Sequence, residues 1–462
     1  MIKFGTSGWR AIIADEFTYA NVQRAVAGIC RYVADHATGR PSLIVGYDPR
    51  FLGPQFAELA AKIGVSHGIR VLLCQEPAPT PAIASQIIAL KADGAVNFTA
   101  SHNPPEYQGI KFSTGDGAPA LPDVTREIER LIEAGGSSGK GGGTIEAVDL
   151  RPAYLADLAS KVDLEVIRKA GLKLVFDPLY GAGRGYLDRL LRDHGIPITT
   201  IHDRHDVLFG GHAPEPADEH LHDLEVAMKE HGATLGLATD GDADRFGVVD
   251  AGEHFISPNH LIALLFDYLV ETRGWRDAGV AKSVATTNLI NAVAEHLKLP
   301  LYETAVGFKY IGELIKQDKV VIGGEESAGL SIRHHVPEKD GILACLLAAE
   351  MVARRGASLR AQLDTLFGKV GAYYPVRHNL RLTEDVKVAF VERLKADPVS
   401  FAGRQVRQVV RTDGLKLVLE DGSWVLFRLS GTEPVCRVYA EARREQDLAV
   451  LVEEGKRFAF GS

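Results

Sequence analysis

Three times along this 462-residue chain, an apolar run of strand length opens into a polar loop. Residues 94–98 lead into Thr99-Ala100-Ser101-His102-Asn103-Pro104, and residues 234–238 into Thr239-Asp240-Gly241-Asp242-Ala243-Asp244-Arg245. Residues 320–322 lead into Gly323-Gly324-Glu325-Glu326-Ser327. Further strand-like runs at 43–46, 71–73, 172–176 and 281–285 alternate with helical patterns such as 55–67 and 81–90. This alternation predicts parallel sheets joined by crossover helices. Open α/β sheets bind ligands beyond the carboxyl ends of their strands, which is where the three loops fall. The pattern restarts near 172 and near 281, a weak structural repeat and not a short-period solenoid.

At roughly 100–200 residues per domain, the length predicts three or four domains. From about Tyr373 the pattern changes: strand-like 415–419, 424–427 and 436–440 precede a closing helix, predicting a smaller α+β domain. The glycine-rich stretch 135–143 predicts a flexible loop near the first boundary. Boundaries are expected near 147, 252 and 370, giving domains 1–147, 148–252, 253–370 and 371–462.

Acidic residues number 60 and basic residues 52, a net charge of −8. That balance argues against nucleic acid or an anionic membrane as the main partner. The start, Met1-Ile2-Lys3-Phe4-Gly5, has no apolar leader segment, and the longest apolar runs, such as 342–349, are too short to span a bilayer. Cys30, Cys74, Cys345 and Cys436 are far apart in sequence, so no zinc or redox pair is predicted. A cytoplasmic enzyme is the expectation.

Asp240, Asp242 and Asp244 stand at alternate positions and repel one another unless a cation lies between them. Hard oxygen ligands suit magnesium or calcium. An EF-hand would need Glu where this chain has Ala251, and the loop follows a strand. Three carboxylates leave positions open for a ligand oxygen, which favours a catalytic magnesium. Ser101 sits in a turn stiffened by Pro104 and Pro105, with His102 and Lys111 as bases nearby in sequence. It has no Gly-x-Ser-x-Gly surroundings, so a hydrolase triad is not predicted; read locally, it serves equally well as a nucleophile or as a turn cap. Arg428-Leu429-Ser430-Gly431-Thr432-Glu433-Pro434, with Arg437 beyond, offers a guanidinium fork, hydroxyls and a glycine turn for a phosphate. It has no Walker pattern. Glu325 and Ser327 could accept and donate to sugar hydroxyls, or form an ordinary turn. His334, His335 and most other histidines are read as surface or satisfied core positions.

Taken in order, these loops resemble the α-D-phosphohexomutase family of phosphoglucomutases and phosphomannomutases. Phe4-Gly5-Thr6-Ser7-Gly8-Trp9-Arg10 looks like its opening motif, and Thr99 to Pro104 with Lys111 like its phosphoserine loop. Asp240 to Arg245 looks like its metal loop, Gly324 to Ser327 like its sugar loop, and Ser430 to Pro434 like its phosphate loop. The resemblance implies three similar α/β domains with mixed sheets plus a smaller, mobile C-terminal α+β domain, around a central cleft. It implies that Ser101 is carried as phosphoserine and shares Mg2+ with Asp240, Asp242 and Asp244. The reaction implied shifts phosphate between the 1- and 6-positions of a hexose through a hexose 1,6-bisphosphate. Lys111 is the first choice for proton transfer, with His102 near it, and Arg10 and Arg245 would orient the serine loop or stabilise phosphoryl charge. Gly307, Phe308, Lys309, Glu325, Ser327 and Lys339 are expected at the sugar; Arg428, Ser430, Gly431, Thr432 and Arg437 at the distal phosphate. Glu325-Glu326-Ser327 and Gly307-Phe308-Lys309 look nearest the phosphoglucomutase form, while the shorter chain keeps mannose phosphate open. The expected partner is a small sugar phosphate, with a monomer or small homo-oligomer. A metal-dependent sugar phosphatase is the rival enzyme class, and a non-catalytic sugar-phosphate sensor the rival outside it.

Overall fold

The central strands are apolar on both faces because helices cover both faces, as the near-continuous Ser42–Tyr47 segment shows: all six of its residues are buried. The structure, a computed structural model, describes residues 2–5, 8–136, 141–252, 254–429 and 435–461. The first sheet contains β1 (Trp9–Ile12), β2 (Ser42–Tyr47), β3 (Arg70–Cys74), β4 (Gly94–Phe98), β5 (Tyr107–Thr114) and β6 (Thr144–Val148), in the order β1-β5-β4-β2-β3-β6. The second contains β7 (Leu174–Asp177), β8 (Ile198–Thr200), β9 (Leu235–Thr239), β10 (Phe246–Asp250) and β11 (His254–Phe255), in the order β11-β10-β9-β7-β8. The third contains β12 (Gly279–Ser283), β13 (Leu301–Thr304), β14 (Val320–Glu325) and β15 (Gly329–Ile332), in the order β13-β12-β14-β15. The last contains β16 (Tyr374–Arg381), β17 (Ser400–Phe401), β18 (Arg404–Val410), β19 (Leu415–Leu419), β20 (Trp424–Leu429) and β21 (Val435–Ala442). All of its pairings are antiparallel, and helix Leu448–Phe460 packs on it.

The alternation of strands and helices accounts for the parallel pairs β2–β3, β2–β4, β7–β9 and β12–β14. All-parallel sheets are not what forms. In each of the first three units the strand that carries a site loop is followed by an antiparallel return: β4–β5, β9–β10 and β14–β15. The connecting segments, 99–106, 240–245 and 326–328, are too short for a crossover, which takes a dozen or more residues. The sheets are therefore mixed, in the four-unit α/β architecture with a smaller last unit that the resemblance implied.

The cores divide unevenly. The first and last units each enclose an apolar cluster of their own, and a smaller cluster joins the first unit to Leu150 of the second. The second and third share one, running from Tyr154 and Leu158 through Phe176, Leu237 and Phe246 to Ile322, Leu346 and Leu363. At its centre lies helix Gly341–Arg355, whose first twelve residues are all buried. Asp340 caps that helix, its carboxylate accepting from Leu343 N at 2.9 Å. Among the described residues no helix is long and apolar enough to cross a membrane.

Candidate active site

Each antiparallel return holds its loop at the carboxyl end of a buried strand, and the loops of the first and second units meet there. The serine loop folds on itself: Thr99 N donates to Gly109 O, Asn103 N to Ala100 O and Tyr107 N to Pro104 O. Ser101 lies at φ 54°, the left-handed region that a residue with a Cβ enters only when its surroundings enforce it. Its N–H donates to Thr99 Oγ1 at 2.8 Å, and its hydroxyl to Asp240 Oδ2 at 2.7 Å. His102 Nδ1 stands 3.4 Å from the same hydroxyl. Ser101 is 1% exposed. Gly241 is required at this contact, because a Cβ there would press on the Ser101 carbonyl oxygen.

Asp240, Asp242 and Asp244 each turn an oxygen to a common point, with the three oxygens within 4.8 Å of one another. All three side chains are buried. Asp242 Oδ1 and Asp244 Oδ1 have no hydrogen-bond partner, and buried carboxylate oxygens are costly to leave so. Burial and the charges of Asp242 and Asp244 push Asp240 well above the usual carboxylate range. A hard divalent cation bound by oxygen would relieve both problems, so the donor set fits Mg2+. The backbone of the loop is fixed by Ala243 N donating to Asp240 O at 3.0 Å and Arg245 N to Asp240 Oδ1 at 3.0 Å.

Cations crowd this acidic centre. Lys111 Nζ lies 2.5 Å from Asp242 Oδ2 and 2.7 Å from Asp244 Oδ2. Burial lowers its pKa, but the two aspartates more than offset that, and it stays a cation. Lys339 Nζ reaches Asp244 at 3.1 Å and Glu338 at 2.7 Å. His102 is held neutral at pH 7 by burial and by the charges of Arg245 and Arg10. Arg10 donates to Asn103 Oδ1 at 2.6 Å, and burial beside Arg245 brings it down to about 10. Arg245 lies 3.7 Å from Glu215, and its buried Nε has no partner. The structure thus brings Ser101, His102, Lys111, Arg10, Arg245 and the three aspartates together.

Of the residues expected at the sugar, Gly307, Phe308, Glu325 and Lys339 form a second group, joined to the first through Lys339. The Lys339 ammonium stands 5.4 Å from the Phe308 ring centroid. Phe308 opens helix Phe308–Lys316, and Gly307 before it donates its N–H to Glu325 Oε1 at 2.7 Å. Burial and neighbouring Glu326 push Glu325 up to about 7. Ser327 lies in the β14–β15 turn, and half-buried Lys309 points along its own Tyr310 ring at 5.6 Å. In the last unit Arg428 and Arg437 sit directly opposite each other on β20 and β21. Arg428 Nε donates to Asp413, which also accepts from Val306 N, one residue before Gly307. Thr6 and Ser7 of the opening motif, and Ser430, Gly431 and Thr432 of the phosphate loop, lie outside the described residues.

Three residues that the sequence reading passed over belong to this site. Thr80, at the start of helix Thr80–Leu90, donates its hydroxyl to Asp242 Oδ2 and its N–H to Asp242 O. Asn97 donates in turn to Thr80 Oγ1 at 2.9 Å. Arg50, after β2, is fully buried against the serine loop. A pair of opposite charges, Asp48 and Arg50 about Pro49, at the end of a fully buried strand was the available signal.

Comparison with known proteins gives one family over four successive segments of the chain. The chain matches phosphoglucomutase/phosphomannomutase, alpha/beta/alpha domain I over residues 1–138, domain II over 152–253, domain III over 257–370, and the C-terminal domain of the same family over 378–455. It is 30% identical to a phosphoglucomutase/phosphomannomutase of Thermococcus kodakarensis, over 98% of this chain and 97% of that one. It is 31% identical to a Methanothermobacter thermautotrophicus protein assigned as a phosphoglucosamine mutase, over 96% and 94%. The crystal structure of a Thermus thermophilus protein assigned as a phosphomannomutase superposes with a TM-score of 0.87 at 33% identity, covering 99% of this chain and 98% of the other.

Proposed function

This chain belongs to the phosphoglucomutase/phosphomannomutase family and is an intramolecular phosphotransferase, and from that premise we propose that it interconverts glucose 1-phosphate and glucose 6-phosphate through phospho-Ser101. The observation that carries this reading is the Ser101 hydroxyl, 2.7 Å from Asp240 in a buried acidic loop ringed by lysine and arginine.

Phospho-Ser101 gives its phosphoryl group to the free hydroxyl of the bound hexose phosphate. The bond from phosphorus to the serine oxygen breaks, and a bond from phosphorus to the sugar oxygen forms. The sugar hydroxyl loses its proton to neutral His102, and the serine oxygen gains one from the Lys111 ammonium. Glucose 1,6-bisphosphate results. It turns within the site, and the same steps in reverse return its other phosphate to Ser101. Asp240, Asp242 and Asp244, with the phosphoserine, would hold Mg2+, which supplies positive charge to the transferring oxygens. Arg10 and Arg245 stabilise the same charge. Glu325, Ser327 and Lys339 orient the sugar, while Gly307, Phe308 and Lys309 shape its pocket. Arg428, Arg437 and the loop Ser430-Gly431-Thr432 hold the phosphate that is not reacting.

Charge supports the arrangement. Phosphoserine and substrate together bring roughly −3 to −4 near neutral pH, more than one divalent ion neutralises. The lysines and arginines around the loops supply the remainder. Glucose is preferred over mannose on the Glu325-Glu326-Ser327 loop and on Gly307-Phe308-Lys309, while the relatives' names span glucose, mannose and glucosamine phosphates. Coupled assays with glucose 1-phosphate, mannose 1-phosphate and glucosamine 1-phosphate test it. A higher kcat/KM for either of the latter two overturns the glucose assignment. Intact mass and peptide mapping after loading with glucose 1,6-bisphosphate test the phosphoserine.

A further inference from the structure

Arg50 is a buried arginine with no solvent contact, and no phosphate or carboxylate of the reacting groups accounts for it. All five of its N–H groups are spent inside the first unit. Nε donates to Asp48 Oδ2 at 3.0 Å. Nη1 donates to the carbonyl oxygens of Pro104, at 2.8 Å, and Tyr107, at 3.1 Å. Nη2 donates to those of Ser101 and Asn103, both at 2.6 Å. Four carbonyls of the serine loop thus converge on one planar fork. Asp48 completes the frame by accepting from the Thr99 hydroxyl at 2.6 Å, and Thr99 Oγ1 accepts the Ser101 N–H. The outer face of the guanidinium lies 4.9 Å from the ring centroid of Phe209, which comes from the second unit.

We propose that Arg50 is a positioning residue for phosphoryl transfer: by gathering the carbonyls of Ser101, Asn103, Pro104 and Tyr107, it holds Ser101 in its left-handed backbone conformation and aims Oγ at Asp240. Resting on Ser101 as the phosphoryl carrier, it adds what keeps that carrier in line. Left-handed Ser101 is unfavourable by itself, and the carbonyl that Arg50 grips is the one belonging to Ser101. A lysine keeps the charge but offers three rotating donors where the fork offers five fixed ones, so it cannot hold four carbonyls and Asp48 together. In-line transfer tolerates little displacement: misplacing a reacting group by an ångström costs about 100-fold in rate. Phe209 extends the frame across the boundary between units, giving the guanidinium a flat surface to lie on.

The test is single-turnover transfer from Ser101-phosphorylated enzyme to glucose 1-phosphate, normalised to the phosphoserine present, in wild type, Arg50→Lys and Phe209→Leu. Normalisation removes any fraction that fails to fold. Arg50→Lys is expected to transfer about 100-fold more slowly. Its KM for glucose 1-phosphate is expected within about twofold of wild type, because Arg50 does not touch the sugar. Amide exchange in the peptide covering 99–107 is expected to quicken while peptides of β2 and β4 stay protected. Phe209→Leu leaves all five donors in place and is expected to slow transfer several-fold with the fold intact, which decides the matter if Arg50→Lys yields no folded enzyme. Wild-type transfer rates in the folded variants overturn the role of Arg50, as does a rate loss matched by an equal rise in KM. A wild-type enzyme that takes up no phosphate on Ser101 overturns the carrier itself, a result the variants cannot produce.

Discussion

At the scale of single residues, the site depends on side chains that aim others. Thr80, held by Asn97, orients Asp242, whose Oδ1 has no hydrogen-bond partner. Thr80→Val removes the hydroxyl donor, and outer-shell losses of this kind weaken metal binding by about 10–100-fold. Calorimetric titration of the unphosphorylated enzyme with Mg2+ reads the change without reference to turnover; unaltered affinity would dismiss the role. Glu325, pushed up to about 7, gives a second expectation. Its carboxylate accepts from sugar hydroxyls best when ionised, so kcat/KM should rise through about pH 7. The same inflection should vanish in Glu325→Gln, which cannot titrate. The three aspartates were legible in the sequence because their spacing carries their chemistry; Ser101, which read locally served equally well as a turn cap, was singled out only by the resemblance. Arg50 and Thr80 were not legible, because what they hold lies 51 or more positions away and, for Arg50, is mostly carbonyl oxygen that every residue possesses. Only a salt bridge partner at Asp48 marked Arg50 locally.

Among elements, the antiparallel returns matter more than the crossovers that the apolar pattern announced. Periodicity separates strands from helices, but it says nothing of strand direction; loop length does, and 326–328 is far too short to carry a helix. Each return pins both ends of its loop in the sheet, as Phe98 opposite Ile110 and Thr239 opposite Phe246 show. Two such pinned loops then touch at Gly241 and Ser101. Gly241→Ala places a methyl against the Ser101 carbonyl and has no flexible side chain to displace. It is expected to lower kcat by about 100-fold and, because overpacking costs about 1–3 kcal/mol, to lower the unfolding temperature too, with circular dichroism little changed. A variant with wild-type kcat would show that the loops have room to part.

Across the whole molecule, the units are joined by buried polar contacts as well as by apolar ones. Val284 and Ala285 of the third unit pack with Trp424, Leu426 and Tyr439 of the fourth. Around them Glu441 accepts from Thr287, from Asn288 N and from Trp424 Nε1, and Lys416 donates to Val284 O. Glu441→Ala leaves those donors unpaired, at a cost of about 2–3 kcal/mol to this interface. A red shift in Trp424 emission, ahead of global unfolding on a denaturant titration, would show the fourth unit leaving first. His335 ties the second unit to the third. Burial lowers its pKa, but Asp157 at 3.5 Å and Asp340 at 2.8 Å, the latter also holding the Tyr154 hydroxyl, raise it more than Lys161 and burial lower it. A histidine whose folded pKa is raised contributes stability below about pH 6.5 and loses it as pH climbs through the folded value. The gap in unfolding temperature between wild type and His335→Asn should therefore be wider near pH 6 than near pH 9. The shared core of the second and third units has a consequence in the order of synthesis. Helix Gly341–Arg355, against which β9 and β10 are packed, is made roughly 100 residues after those strands. At roughly 5–20 residues per second, the aspartate loop's own sheet waits roughly 5–20 seconds with an apolar face uncovered. The first unit, whose main cluster lies wholly within it, has no such wait. Nascent chains halted between these points are expected to yield a protease-resistant first unit and a sensitive second.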